Sequence, residues 1–322
     1  MKKTLCFYAF LLAIFCSHAN AQEYPTQIIK LVVSVPAGGL QDSLARSLAK
    51  YMGDTLGQPV IVENRPGANT IIAAQFVAKA PPDGYTLLVA TDSTMSINPH
   101  LYAKLPYDPQ RDFVSITQLV QLTEALFVSG EVPVRTLKEY VEYIRARPEG
   151  ANFGSFGVGS NAHLAGQEFA RITATKQTHV PFKGGADAMP ALASNQVQSL
   201  ITASAVAMPM VKAGKAKILA IAGPNRLAGI PEVPTFAESG YPGFVSSAWF
   251  GLVAPTGTPS PVIQKLAGVA SSYLKTQDFR EKFGSPYSIE PIGSSPDAFA
   301  TFMRNDRVRY EKIVMGAGAK LE

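Results

Sequence analysis

Four stretches of the chain repeat one arrangement: a short apolar run, a turn rich in glycine or serine, and then the start of a helix. The apolar runs cover 31–37, 60–62, 152–156 and 180–182, and the turns follow at 38–39, 67–70, 157–160 and 184–185. A helix N-terminus presents unpaired backbone N–H groups and a partial positive charge, so each turn is a potential seat for an anion. Apolar runs that alternate with helical patterns favour an α/β fold with mostly parallel strands, whose turns lie at one edge of the sheet. The sequence therefore predicts a small-anion pocket that needs no catalytic side chain.

The N-terminal segment 1–21 has the pattern of a secretory signal peptide. Two lysines precede an apolar run at 5–15, and an Ala-Asn-Ala cleavage motif occupies 19–21. The run is shorter than the roughly 20 apolar residues that span a bilayer, which argues against a membrane anchor. Both cysteines, Cys6 and Cys16, fall in this segment. We therefore predict an exported protein whose mature chain has no disulfide and no thiol chemistry.

The charge balance and the histidines exclude several classes of function. The chain has 29 Lys+Arg against 24 Asp+Glu, and removing the two signal-peptide lysines leaves a formal charge of +3. This charge is small and the basic residues are scattered singly, which argues against a nucleic-acid partner. His100, His163 and His179 lack the spacing of metal ligands and have no cysteine partners, so no metal site is predicted.

The turn at 157–160 matches part of a dinucleotide-binding fingerprint. Gly157, Gly159 and Ala162 have the characteristic spacing. That fingerprint also needs an acidic residue about 20 positions further on, and a lysine, a glutamine and a threonine stand at 176–178 instead. We therefore predict that the protein uses no cofactor.

The order of the apolar and helical patterns predicts two α/β lobes, the second inserted into the first. The chain crosses between the lobes near 118–129 and again near 246–255. The predicted boundaries assign 22–122 and 249–322 to lobe 1 and 123–248 to lobe 2. Ligands of open α/β sheets bind outside the carboxyl ends of the strands, where all four turns lie.

The predicted ligand contacts of lobe 1 begin at the turn 36–39, where glycine lets a ligand approach the backbone closely. Asp42 lies in the first turn of the following helix, and its side chain is better explained as a helix cap than as a direct contact. The hydroxyl-rich sequence at 91–93 follows the third strand and could line the same pocket. The predicted residues of lobe 1 are Pro36, Ala37, Gly38, Gly39, Asp42, Ala68, Asn69, Thr70, Thr91, Asp92 and Ser93.

The predicted contacts of lobe 2 come from two turns, at 155–160 and at 182–184. His163 follows the first of them, and together with Ser155 or Ser160 it leaves open an exported hydrolase as an alternative function. No G-x-S-x-G nucleophile elbow supports that alternative, so we expect a protein that is not an enzyme. The predicted residues of lobe 2 are Ser155, Gly157, Ser160, His163, Phe182, Lys183 and Gly184.

A set of short motifs, in their order and spacing, resembles one known family over nearly the whole mature chain. The motifs are Tyr-Pro at 24–25, Val-Pro-Ala-Gly-Gly at 35–39, Glu-Asn-Arg-Pro-Gly-Ala at 63–68, Pro-Asp-Gly-Tyr-Thr-Leu at 82–87, Ile-Asn-Pro at 97–99, His-Leu-Ala-Gly at 163–166, His-Val-Pro-Phe-Lys-Gly at 179–184, Pro-Thr-Phe-Ala-Glu-Ser-Gly at 234–240 and Trp-Phe-Gly-Leu at 249–252. The chain resembles the Bug family, the periplasmic substrate-binding proteins of tripartite tricarboxylate transporters.

The resemblance implies a type II periplasmic-binding-protein fold, the two-lobed Venus flytrap, with the ligand between the lobes. It implies a periplasmic protein that binds a small carboxylated metabolite and passes it to a transporter with one large and one small membrane subunit. A ligand sensor that docks to a membrane signalling partner is a further alternative. The resemblance also implies that the carboxylate sits at 36–39, with further contacts from the other three turns.

The chain departs from the family pattern at three places. Asn69 and Thr70 stand where the family usually has two glycines, Phe182 replaces a tyrosine, and Leu40 replaces a small residue. The first change adds side-chain donors, and the other two add apolar surface and remove a hydroxyl. We therefore expect a carboxylate whose remainder is different from citrate or more apolar.

Overall fold

The computed structural model describes residues 24–284 and 289–317. The predicted signal peptide and both cysteines lie outside the described residues. The strands are β1 (Ile29–Val33), β2 (Val60–Asn64), β3 (Thr86–Thr91), β4 (Phe113–Ser129), β5 (Ala151–Ser155), β6 (Gln177–Pro181), β7 (Ser199–Ala203), β8 (Ala216–Ile221), β9 (Ser247–Pro255) and β10 (Ile289–Pro291). The helices are α1 (Leu40–Leu56), α2 (Ile71–Ala78), α3 (Asn98–Leu101), α4 (Leu137–Arg145), α5 (Asn161–Thr173), α6 (Gly185–Ala193), α7 (Ser204–Lys212), α8 (Ser260–Leu274), α9 (Gln277–Lys282) and α10 (Pro296–Ala317).

Strand β4 joins two groups of strands and changes partners midway along its length. Its first part, through Thr123, pairs antiparallel with β9. From Glu124 onward it pairs with β7, and from Ala125 with β8. We call the group of β1–β3, β9, β10 and the first part of β4 sheet 1, and the group of β5–β8 and the end of β4 sheet 2.

Each sheet contains the parallel strands that the sequence pattern predicts. In sheet 1, β1 lies between β2 and β3 and is parallel to both. In sheet 2, β5 lies between β6 and β7 and is parallel to both. The predicted α/β class is therefore confirmed, and the carboxyl ends of β1 and β5 both lead into glycine-containing turns.

The near-continuous apolar sequence of β1 is explained by helices on both faces of sheet 1. Leu31 and Val33 pack in one apolar cluster with α1, whereas Val32 packs in another with α2. A strand that is covered on both faces has no polar side to alternate with, which is the usual pattern of buried parallel strands.

The two lobes touch each other beside the turns. Leu164 of α5 packs in one buried cluster with Ile97, Leu101 and Tyr310, which belong to the elements around sheet 1. Gly159 lies so close to Leu101 that a Cβ atom on the glycine would overlap the leucine side chain. The elements around sheet 1 and those around sheet 2 are therefore in direct contact beside the turns.

Candidate functional site

The turn at 36–39 connects β1 to α1 and exposes its backbone. Pro36, Ala37 and Gly38 are exposed, and Gly38 has a φ of +90°, a conformation that favours glycine. Gly39 caps α1 with extended backbone and has no side chain that could satisfy the first N–H groups of the helix. The start of α1 therefore keeps the properties that suit an anion.

Asp42 is buried behind this turn and holds it in place by a hydrogen bond. Its Oδ2 accepts hydrogen bonds from the Gly38 N–H at 3.0 Å and from Arg46 Nε at 2.9 Å, and its Oδ1 accepts one from Asn64 Nδ2 at 2.8 Å. Burial alone would raise the pKa of Asp42, but the hydrogen bonds from Arg46, Gly38 and Asn64 hold that pKa below its ordinary value. Both oxygens are therefore engaged by donors of the protein itself.

The turn at 67–70 adopts a backbone that is unusual for its residues. Ala68, Asn69 and Thr70 all have positive φ angles, of 45°, 46° and 75°. Glycine adopts such angles without cost and asparagine tolerates them, whereas a β-branched threonine is strained there. Two hydrogen bonds of 2.8 Å between Asn69 and Asn98 hold the turn, and Thr70 Oγ1 accepts a 2.9 Å bond from Thr94. Asn69 and Thr70 are therefore tied to the elements of sheet 1.

The carboxyl end of β3 continues into a wide π-helical turn, Ser93–Ile97, in which every residue is buried. Thr91 Oγ1 lies 3.2 Å from Thr94 Oγ1, and Asp92 accepts a 2.7 Å hydrogen bond from the Ser93 N–H. Wide turns of this kind are frequent at functional sites.

Asp92 belongs to a buried polar cluster where the chain crosses between the lobes. Its carboxylate lies 3.5 Å from the Tyr310 hydroxyl, which also donates to Asn161 Oδ1 of α5 at 2.8 Å. Burial, with the nearby carboxylates of Asp306 and Glu124, raises the pKa of Asp92 well above its ordinary value. Asp92 therefore sits at the contact between the lobes, with its carboxyl turned toward that cluster.

The turn at 155–160 joins β5 to α5 and is the counterpart of 36–39 in the second lobe. Gly157 and Gly159 have φ angles of +121° and +79°. Ser160 caps α5: its Oγ accepts from the His163 N–H at 3.3 Å and donates to the Gly157 carbonyl at 2.8 Å. Ser155 is fully buried, and its Oγ lies 2.6 Å from His179 Nε2.

These contacts do not support the hydrolase alternative. The histidine beside the Ser155 hydroxyl is His179, whereas the ring of His163 accepts from the Gly159 N–H at 3.0 Å through Nδ1. Burial, together with the neighbouring His163, lowers the pKa of His179 to about 4, which makes it a weak general base. A buried serine beside such a histidine is poorly suited to attack a substrate.

The turn at 182–184 contributes less side-chain surface than its sequence indicates. Phe182 is half-buried against the apolar core around sheet 2, and its ring would be 3.4 Å from a Cβ atom on Gly154. Lys183 is exposed, and Gly184 caps α6 without a side-chain hydrogen bond. In this turn, the backbone at the start of α6 is the part that resembles the helix starts at 36–39 and 155–160.

A further strand-to-helix turn escaped the sequence reasoning. Strand β7 runs directly into α7 at Ala203 and Ser204, with no glycine between them. Ala203 joins the apolar cluster of α1, while Leu40 and Val206 pack against that same cluster. The Ser204 hydroxyl is buried and has no hydrogen-bond partner within the described part of the chain. The sequence signal for this turn is weak: the predicted strand at 197–202 mixes three apolar with three polar residues, and Ala203 and Ser204 follow it.

Across residues 24–284 and 289–317, no three His, Cys, Asp or Glu side chains are grouped as a metal ion would require. Over the same residues, none of the helices combines the length and the apolar character needed to cross a membrane.

Comparison with known proteins finds similarity over nearly the whole chain. A family model described as the tripartite tricarboxylate transporter family receptor matches residues 44–318. Protein BugT of Bordetella pertussis is 32% identical over 304 residues, which cover 94% of this chain and 93% of BugT. The solved structure of an R. palustris protein with adipate has a TM-score of 0.88 and 32% identity, covering 92% of this chain and 99% of that one. MatC from Rhodopseudomonas palustris with bound malate has a TM-score of 0.84 and 33% identity, covering 90% of this chain and 100% of MatC.

Proposed function

The chain belongs to the tripartite tricarboxylate transporter receptor family, and on that premise we propose that it is a periplasmic solute-binding protein that captures a small carboxylate between its lobes. The observation that carries this proposal is the meeting of two helix starts from different lobes. Gly159, in the turn before α5, packs against Leu101 and lies beside the Asn69 side chain. A ligand held at these turns would therefore be enclosed when the lobes close.

Backbone N–H groups at helix starts explain how a carboxylate would be held without a buried arginine or a metal. The exposed backbone of 36–39 and the glycine-capped start of α6 each present N–H groups to an anion. Closure then excludes water, which strengthens those hydrogen bonds, and the ligand shifts the protein toward the closed state by its higher affinity for that state.

The predicted contact residues divide into two groups by their geometry. The proposed ligand contacts are the backbone of Pro36, Ala37, Gly38, Gly39, Ala68, Gly157, Lys183 and Gly184 and the side chains of Asn69, Thr70, Thr91, Ser93 and Phe182. The side chains of Asp42, Asp92, Ser155, Ser160 and His163 are proposed to position those contacts, because protein groups already occupy their polar atoms.

Relatives of known structure support a carboxylate with a short carbon chain. Adipate and malate, found in the two R. palustris proteins, are both linear dicarboxylates, and adipate has no hydroxyl group. Leu40 lies at the start of α1 and packs against the cluster that contains Ala203. We infer that apolar surface near the first seat favours a less hydroxylated ligand than citrate.

Delivery of the ligand to a transporter with one large and one small membrane subunit completes the proposal. It includes export by a signal peptide at 1–21 and the absence of an enzymatic reaction. It also includes lobe boundaries at 122/123 and 248/249, which lie close to the partner change of β4 after Thr123 and to the start of β9 at Ser247.

A panel of ligands tests the proposed ligand class. The melting temperature of the mature protein is measured with adipate, malate, citrate and the neutral diamide of adipate, because a ligand of the folded state stabilises it by mass action. At least one dicarboxylate is expected to raise the midpoint while the diamide does not. Stabilisation by the diamide alone would contradict the carboxylate proposal, and turnover of any compound in the panel would contradict the absence of an enzymatic reaction.

A further inference from the structure

Two histidines are stacked directly beneath the turn at 155–160. The ring centroids of His163 and His179 lie 3.9 Å apart with an interplanar angle of 25°, and Phe153 stacks on His179 at 5.1 Å. His163 comes from the first turn of α5 and His179 from the middle of β6, so the stack ties a helix to a strand. His163 is buried and His179 is half-buried.

The ring nitrogens hold both ends of the turn. His163 Nδ1 accepts from the Gly159 N–H at 3.0 Å, so this nitrogen carries no proton. The neutral ring then carries its proton on Nε2, which lies 3.1 Å from the Gln167 side-chain nitrogen, so the Gln167 amide must turn its oxygen toward the ring to accept from it. At the other end, His179 Nε2 lies 2.6 Å from Ser155 Oγ, and that hydroxyl accepts from the Gly157 N–H at 3.2 Å.

The Gly159 end of the turn is also the part that touches the other lobe. Protonation of His163 at Nδ1 would place two N–H donors against each other, so the hydrogen bond to Gly159 would be lost. The released glycine is the residue that packs against Leu101 beside Asn69. The hydrogen bond therefore links the protonation state of His163 to the packing of Gly159 against Leu101 in the other lobe.

We propose that the stacked His163–His179 pair is the positioning device of the second-lobe turn, and that the turn keeps this geometry only while the His163 ring is neutral. The proposal rests on the carboxylate-binding function for its effect on affinity, but its effect on the turn itself is independent of any ligand. If both His163 and His179 were protonated, two positive charges would be in contact. Protonation of one ring therefore disfavours protonation of the other.

The surroundings of the pair provide little compensation for a positive charge. Strands β5, β6 and β7 carry no ionisable side chain other than His179. On α5, Glu168 is paired with Arg171 at 2.7 Å, and on α10, which packs against α5, Arg309 is paired with Asp306 at 2.9 Å. Glu124 faces the first residue of α5, Asn161, and burial raises the pKa of Glu124 to about 7. Burial correspondingly lowers the pKa of both histidines.

Hydrogen exchange of the Gly159 amide tests the proposal without a ligand. Two variants separate the ring from its acceptor: His163→Asn keeps an acceptor near the position of Nδ1 and does not titrate, whereas His163→Phe keeps an aromatic ring without an acceptor. His100→Gln is the control for loss of a histidine outside the stacked pair; His100 lies on α3, one residue before the Leu101 that contacts Gly159, so this control also bears on that contact. Exchange is followed by NMR at pH 7 and pH 4 and corrected for the intrinsic exchange rate.

At pH 7 the Gly159 amide is expected to be protected in the wild type, in His163→Asn and in His100→Gln, and at least about tenfold less protected in His163→Phe. At pH 4 the wild type should lose protection while His163→Asn retains it. Equal protection in His163→Phe and the wild type at pH 7 would overturn the proposal, as would equal pH dependence in the wild type and His163→Asn.

Calorimetric titration with adipate and with malate at pH 7 measures the effect on binding. Binding of at least one by the wild type, weakened about tenfold in His163→Phe and less than about threefold in His163→Asn, supports the positioning role. Equal weakening in both variants would contradict it. Failure of the wild type to bind any carboxylate would contradict the proposed function, and the exchange measurement would still decide the role of the pair.

Discussion

The turns at 36–39 and 155–160 occupy equivalent places, at the carboxyl end of the central parallel strand in each lobe, but they are fastened differently. The Asp42 carboxylate holds the first turn through Gly38 and is itself held by Arg46 and Asn64. The second turn is held by neutral imidazoles at Gly159 and Ser155. An ion-paired carboxylate keeps its charge until strongly acidic pH, whereas a neutral histidine is protonated, and loses its acceptor nitrogen, at milder acidity. Similar backbone seats can therefore differ in their sensitivity to pH.

Removing the fastening of the first turn should have the largest effect on stability. Asp42→Ala leaves the Gly38 N–H without its acceptor and leaves the Asn64 amide with only the Val35 carbonyl, and we expect it to lower the free energy of unfolding by about 2 kcal/mol. Urea denaturation measures this change. Asp54→Ala, which removes an exposed partner of Lys50 on the same helix, should leave stability unchanged. Equal effects of the two substitutions would show that Asp42 does not fasten the turn.

Loss of the cap on the second turn should have a smaller effect. Ser160→Ala removes the oxygen that accepts from the His163 N–H, and we expect the free energy of unfolding to fall by about 1 kcal/mol. Ser160→Thr retains a capping oxygen and should recover most of that loss, also by urea denaturation. A threonine variant as unstable as the alanine variant would argue against capping as the cause.

Glu124, at the crossing between the two turns, should respond to pH in the opposite sense from the histidines. Burial raises its pKa from 4.5 to about 7, so stability is fully present below pH 4.5 and is lost as the pH rises toward and through 7. Glu124→Gln cannot ionise, so its melting temperature relative to the wild type should rise by about 2 °C between pH 5 and pH 8. A difference that is constant with pH would show that Glu124 does not ionise within this range.

The smallest expected effect is a pH-dependent change in melting temperature that involves His179 at the second turn but not Asp42 at the first. The folded pKa of His179 is about 4 against an ordinary value of 6.5, so the stability it contributes is present above pH 6.5 and is lost as the pH falls toward 4. The wild type should therefore lose about 1 °C more melting temperature than His179→Gln between pH 7 and pH 4.5. Asp42 stays ionised over this range, since its pKa lies below 3.8, so the first turn adds no difference. A larger loss of melting temperature in His179→Gln than in the wild type would contradict the assignment of this pH dependence to His179.

The sequence predicted the features that depend on neighbouring residues. The apolar run of β1 followed by Gly38 and Gly39 predicted a strand, a turn and a helix, because each has its own local signal. The helix α4 begins at a local signal of the same kind, a threonine cap followed three residues later by a glutamate: Thr136 Oγ1 accepts from the Glu139 N–H at 3.1 Å. The α/β class followed from repeating such local signals along the chain.

Features that join distant segments were out of reach of the same reasoning. His163 and His179 are 16 positions apart on different elements, so their stacking could not be inferred from either motif. The start of α7 was missed because Pro209 lies inside the helix and no glycine precedes Ser204. The buried cluster around Asp92 draws its members from four separate parts of the chain, and only the folded structure brings them together.

The backbone N–H of Gly39 provides the most direct test of carboxylate binding at a helix start. Gly39 has a φ of −75°, which proline can adopt, and a Cβ atom there would meet its neighbours at 3.5 Å or more. Gly39→Pro removes the backbone N–H, whereas Gly39→Ala adds a Cβ atom and retains the N–H. Calorimetric titration is performed with the dicarboxylate that gives the largest thermal shift. We predict that the proline variant binds at least about tenfold more weakly than the alanine variant, as expected for a lost hydrogen bond to a charged group. Equal affinities in the two variants would contradict the account.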